Sequence, residues 1–151
     1  DIFYSGTVGA AIAGRRLNYV PVAFSVTAFT PKNLSFISEQ ASLIVNQVSK
    51  LPNDKNIIVN VNFPDLSSSK LNGTKLTMLG KRGTPDTPDL IGSNNSSKFY
   101  SFGPSGKLLP NQVDTDIQAI DDNYISISIL DYNLSVDAIN WNFYREVFNC
   151  E

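Results

Sequence analysis

Two short, mainly apolar runs, Tyr19 to Val26 and Ile57 to Phe63, do most to limit how this chain can fold. Neither shows the steady alternation of a strand with one wet face, so both read as strands covered on both sides, the arrangement of a parallel sheet. Pro21 is tolerable near the start of its strand. Parallel neighbours need a crossover, and the segment between the runs supplies one. Ile37, Ala41, Ile44, Val45 and Val48 recur at helical spacing and lay one apolar stripe along a helix, with Ser35 as its predicted N-cap. Leu51-Pro52-Asn53-Asp54 ends that helix, and Pro64-Asp65 closes the second strand.

The opening segment, Tyr4-Ser5-Gly6-Thr7-Val8-Gly9-Ala10-Ala11-Ile12-Ala13-Gly14, places hydroxyls and a glycine directly before small apolar residues. It predicts a helix from Thr7 to about Leu17. The first N–H groups of a helix lack internal partners and carry partial positive charge, so Ser5, Gly6 and Thr7 are candidate phosphate contacts. The same pattern also fits a plain N-cap with close packing behind it. Helix, strand, helix, strand is the order of the second half of an α/β layered domain. A glycine-hydroxyl turn normally follows a strand, and here none precedes it. The chain is therefore expected to begin in the middle of a domain.

Beyond Leu66 the texture changes. Thr74 to Leu79 and Lys98 to Phe102 read as strands, separated by a Gly/Pro/Asn/Ser-rich stretch from Gly80 to Ser97. A connection of that length is expected to be a functional loop, a mobile one, or an arm reaching another subunit. Within it, Lys81-Arg82 reads as a solvated turn, with a phosphate contact as the alternative. Thr115 to Asn123 is polar and turn-like; Asp114 with Asp116, and Asp121 with Asp122, either cap backbone or take a hard cation. Tyr124 to Leu130 alternates apolar with polar and predicts a half-buried antiparallel strand. From Ser135 a final helix is expected, with Val136, Ile139, Phe143 and Val147 on one face and Trp141, Tyr144 and Phe148 nearby. Such an aromatic helix needs a surface to pack on.

Charge narrows the function. Twelve basic and fourteen acidic residues give a net charge of -2 with no basic block, which disfavours a nucleic-acid polymer as partner. No apolar run is long enough to cross a bilayer, so no membrane partner is expected, and a cytoplasmic location fits. Cys150 is the lone cysteine, which leaves no internal disulfide. There is no histidine, which removes Ser-His-Asp and Cys-His catalysis from these residues. Asn-x-Ser/Thr triplets at Asn33, Asn72 and Asn133 are put down to an Asn- and Ser-rich composition rather than to glycosylation.

Three blocks resemble the SurE family of survival-protein 5′-nucleotidases. Asp1 to Ala11, with Gly14 and Arg15, is similar to the family's D-x-x-Y-S-G-T-V-x-A-A-x-x-G-R segment. Asn60-Val61-Asn62-Phe63-Pro64 is similar to its N-x-N-x-P strand end, and Thr115-Asp116, Ala119 and Tyr124 to Ile127 to its T-D-x-x-A-x-x-x-G-Y-V-S-I segment. Asn123 stands where the family usually has Gly, Ile129 where it has Pro, and Asn133 where an acidic residue is common. The resemblance implies a three-layer α/β/α Rossmann-like core, of which residues 1–65 are the second half. Residues 66–151 would then form a β-rich extension, with a C-terminal helix exchanged between subunits of a homodimer or homotetramer. It further implies metal-assisted hydrolysis of nucleoside monophosphates with divalent Mg or Mn. None of the family's four metal ligands matches a residue here, so the segment by itself is expected to be inactive. Ser5, Gly6 and Thr7 carry over as phosphate contacts. The rival expectation is a non-catalytic assembly or binding module.

Overall fold

The computed structural model describes residues 2–52, 56–102, 106, 109–110, 112–132, 145 and 147–148. Its centre is a four-stranded mixed sheet. A short helix α1 (Gly6–Ala13) leads through a 3-10 turn (Gly14–Arg16) to strand β1 (Val22–Val26), helix α2 (Leu34–Val48) and strand β2 (Ile57–Phe63). Strand β3 (Gly73–Leu76), a hairpin of β4 (Asp89–Ser93) and β5 (Lys98–Ser101), helix α3 (Asp116–Asp121) and strand β6 (Tyr124–Asp131) follow. The sheet order is β1-β2-β6-β3. β1 and β2 pair in parallel, β2 and β6 antiparallel, and β3 and β6 in parallel.

The period of two along β2 distributes its side chains to two helical layers. Val59, Val61 and Phe63 point to one face, where Ile37, Ile44 and Val48 of α2 meet them together with Val20 and Ile125. Ile58 points to the other, where Val8 and Ala11 of α1 pack on it and on Ala23. Ile58, Val59 and Val61 are each 0% exposed, as expected for a strand covered on both sides. The order α1, sheet, α2 confirms the three-layer reading.

Four local expectations are corrected. Ser35 is not the cap of α2: the helix starts one residue before it, with Asn33 in the cap position and no side-chain cap bond. Asp65, just past β2, instead ties down the segment entering the helix, its carboxylate accepting from Lys32 N (2.9 Å), Asn33 N (3.0 Å) and Asn33 Nδ2 (3.0 Å). These bonds to the ionised form, that from the Lys32 backbone foremost, hold the Asp65 carboxyl below the usual carboxylate range. The polar stretch Thr115 to Asn123 is a helix rather than a turn, capped by Thr115 Oγ1, which accepts from Gln118 N at 3.2 Å. The connection from Gly80 to Ser97 contains β4, which pairs with β5 around a bulge between Leu90 and Gly92.

The fourth correction concerns β6, which is a central strand rather than a half-buried one. Its serines are its most enclosed polar residues: Ser126 is 0% and Ser128 1% exposed. They are buried because both have partners, Ser126 Oγ accepting from Asn62 Nδ2 (3.1 Å) and Ser128 Oγ meeting Thr77 Oγ1 (2.9 Å). Asn123, at the family's glycine position, has φ 63° directly after α3. That left-handed conformation is the one in which glycine is cheapest and asparagine the best tolerated substitute. The helix predicted from Ser135 falls outside the described residues except at Arg145, Val147 and Phe148, which are helical and exposed.

Candidate functional site

The face of the sheet beneath α1 is apolar at one end and polar at the other. Ala23, Ile58 and Leu130 are packed with α1, whereas Ser25, Asn60, Asn62 and Ser126 continue the same rows beyond it. Helix length explains the division. Eight residues rise about 12 Å along the axis, while the seven residues of β2 extend about 23 Å, so α1 cannot roof the whole strand. The uncovered part lies at the carboxyl ends of the parallel strands β1 and β2, where ligand crevices of α/β sheets form.

A cleft of about 470 Å³ occupies this end. Ile2, Phe3, Ser5 and Val8 line it from the helix side, Ser25, Asn60 and Asn62 from the sheet, and Leu79 to Arg82 with Asp116 and Ile117 from the extension. Ser5 is the N-cap of α1: its Oγ accepts from Val8 N at 3.2 Å, which leaves the hydroxyl proton available to a ligand. Gly6 and Thr7 follow at the exposed helix start and are not part of the lining. Among the described residues, no atom beyond the adjoining helix backbone lies within 4 Å of the place a Gly6 side chain would occupy, so the helix start is open to approach there.

Asn60 and Asn62 were legible only as part of a family motif, although an N-x-N pattern ending a parallel strand puts two amides on one face at its ligand-facing end. Lys81 and Arg82 are exposed, in keeping with the solvated reading, although the backbone there is not a turn, and both border the cleft. Asp116 Oδ1 accepts from Gly80 N (2.7 Å) and Ile117 N (2.9 Å), the backbone-capping role rather than the cation-binding one. Among the described residues no group of three His, Cys, Asp or Glu side chains converges to hold a metal. Even Mg2+, which keeps several waters, takes one or two carboxylates, and this cleft offers one, already engaged with backbone. The residues present do not fit a complete divalent-metal site.

An α/β domain with its ligand cleft at the carboxyl ends of parallel strands is the class that fold and cleft define. The family model for survival protein SurE matches residues 1–86. The chain is 34% identical to the 5′-nucleotidase SurE of Trichormus variabilis, over 95% of this chain and 59% of the relative. It is 33% identical to the 5′/3′-nucleotidase SurE of Wigglesworthia glossinidia brevipalpis, over 96% and 60% respectively. The fold matches the crystal structure of the SurE protein from Aquifex aeolicus with a TM-score of 0.70 at 24% identity, covering 98% of this chain and 59% of that one. The chain belongs to the SurE family. It spans about three-fifths of the length of these relatives. Among the described residues no helix is long and apolar enough to cross a membrane.

Proposed function

We propose that these residues form the C-terminal part of a phosphomonoester hydrolase acting on nucleoside 5′- or 3′-monophosphates, in which Ser5, Gly6 and Thr7 contact the phosphate. The observation that carries this reading is the position of Ser5, which caps α1 and lines a cleft shared with the amides of Asn60 and Asn62. Unpaired N–H groups at the helix start, the Ser5 hydroxyl and the asparagine amides are donors suited to phosphate oxygens, and fixed donors stabilise charge on a phosphoryl group without reorganising. The names of the relatives support the nucleotide as substrate. The divalent cation, Mg or Mn, has its ligands upstream of Asp1 in this reading, so residues 1–151 alone bind phosphate without hydrolysing it. The complete protein is placed in the cytoplasm as a homodimer or homotetramer.

Phosphate release from nucleoside monophosphates, measured with manganese present, tests the reading. The complete protein is expected to turn over and the 151-residue chain is not. Ser5→Ala in the complete protein is expected to lower kcat/KM by about tenfold or more, the scale of a lost phosphoryl-facing donor. Turnover by the 151-residue chain alone, or a Ser5→Ala variant as active as the parent, would overturn it. A second reading, a non-catalytic assembly module, has the exposed β4–β5 hairpin in its favour. Stable oligomers of the complete protein with no affinity for manganese would establish it instead.

A further inference from the structure

Asn60 is buried without being bonded. It stands in the middle of β2, 5% exposed, opposite Ala23 of β1 and Ser128 of β6. Of the other buried polar residues described, Thr77 pairs with Ser128, Ser126 with Asn62, and Thr115 with the Gln118 N–H. The Asn60 amide has no such partner among the described residues. Every fully enclosed side-chain nitrogen or oxygen among them is paired, so both ends of this amide must reach open space, and the space Asn60 lines is the cleft. Asn62, two residues on along the same face, differs in that Ser126 Oγ holds its Nδ2. With no protein bond to fix it, the Asn60 amide can turn either end to a ligand. A carboxamide has two N–H donors and an acceptor oxygen, and leaving such groups unmade costs about 1–3 kcal/mol, so a matched occupant brings both kinds of partner. Ionised phosphoryl oxygens only accept; they suit Nδ2 and leave Oδ1 to something that donates.

We propose that Asn60 Oδ1 accepts a hydrogen bond from an O–H at the phosphorus, that of the attacking water before hydrolysis and that of inorganic phosphate after it. This rests on the phosphate reading of the same cleft and adds to it the group that positions the nucleophile. In the reaction the water oxygen bonds to phosphorus as the bond from phosphorus to the nucleoside oxygen breaks. The freed electron pair stays on the nucleoside oxygen, which ends with one water proton, while the other remains on the phosphate as its O–H. Asn60 takes no proton and only orients the O–H, the part a side-chain amide can play toward water in phosphoryl transfer.

Phosphate and sulfate separate this role from plain anion binding. Above the second phosphate ionisation both are dianions of similar size, and only phosphate carries an O–H. Calorimetric titration of the full 151-residue chain is expected to show phosphate bound more tightly than sulfate. Asn60→Leu, which keeps the bulk and removes the acceptor, is expected to shrink that preference by about tenfold, the scale of one hydrogen bond to a charged group. Asn60→Asp, which keeps an acceptor, is expected to weaken both anions by like charge and to retain the preference. Asn62 and Asp116 are the rival acceptors on the cleft wall. A preference that survives Asn60→Leu unchanged belongs to one of them and overturns the proposal, leaving the phosphate site standing. In the complete protein, Asn60→Leu is expected to lower kcat for adenosine 5′-monophosphate by about tenfold or more with little change in KM, the mark of an interaction made in the transition state. Parental kcat, with or without a raised KM, overturns the proposal as well. If Asn60→Leu does not fold, Asn60→Ala decides by the same two measurements. Failure of the unaltered chain to bind phosphate overturns the phosphate reading itself.

Discussion

Strand β2 and the β4–β5 hairpin satisfy their backbone groups in the same way, by ladders to neighbouring strands, yet they differ in what their side chains meet. Along β2, Ile58, Val59 and Val61 are removed from water completely; on the hairpin, Leu90, Ile91, Phe99 and Tyr100 are 54%, 68%, 52% and 49% exposed. Hydrogen bonding exchanges water partners for protein ones at small net gain, whereas burial of apolar area supplies most of the driving force. An isolated two-stranded hairpin is marginal in water, so this one depends on contacts beyond its own ladder. The core is held by what it excludes from solvent, and the hairpin is ordered but poorly anchored among the described residues.

Several substitutions test that contrast. Phe63→Ala removes a ring that is 2% exposed and tilted against Phe24 at 5.7 Å between centroids, and is expected to cost about 3–5 kcal/mol in urea unfolding. A loss under about 1 kcal/mol would mean that the α2 face is not the main core. Thr77→Val strands Ser128 Oγ in a buried position between β3 and β6, and should cost about 1–3 kcal/mol by the same measurement. An unchanged midpoint would show that the pair adds nothing to the join between core and extension. Phe99→Ala on the hairpin is expected to shift stability by no more than about 0.5 kcal/mol; a loss as large as that of Phe63→Ala would erase the distinction.

The last test is confined to acid. Because the folded-state pKa of Asp65 is depressed, its contribution is fully present above the unfolded-state value and lost as the pH falls through the folded one. Asp65→Asn should therefore flatten the acid limb of the stability curve while leaving its shape near neutrality unchanged. Parallel curves for the two proteins through the acid range would separate Asp65 from the start of α2.

What could be read from sequence follows the same division. β1, α2 and β2 were legible because contiguous apolar residues and a helical stripe carry their own signal, and Ser5 because a cap lies next to the helix it serves. α3 was hidden because its six residues, Asp116–Asp121, are too few to show a helical stripe, and Ala119 alone is buried. β4 was hidden by its flanking prolines and Gly92, and shows itself only through a partner strand. In β6 the alternation was real, but it did not separate core from water, since Ser126 and Ser128 are as buried as Ile125 whereas Ile129 is exposed. Asp65 and Asp116 bond to residues more than 30 positions away in the chain, and no local pattern announces such a pairing.

The position of β6 also sets the order of assembly. A ribosome releases β6 after every other strand described, yet it belongs in the middle of the sheet, with β2 on one side and β3 on the other. Until it emerges, β2 and β3 each present an unpaired edge, and the nascent chain carries the kind of surface that recruits chaperones or joins aggregates. A message truncated just before Tyr124 would thus yield a chain that retains α1 and α2 with no means of closing the sheet between β2 and β3.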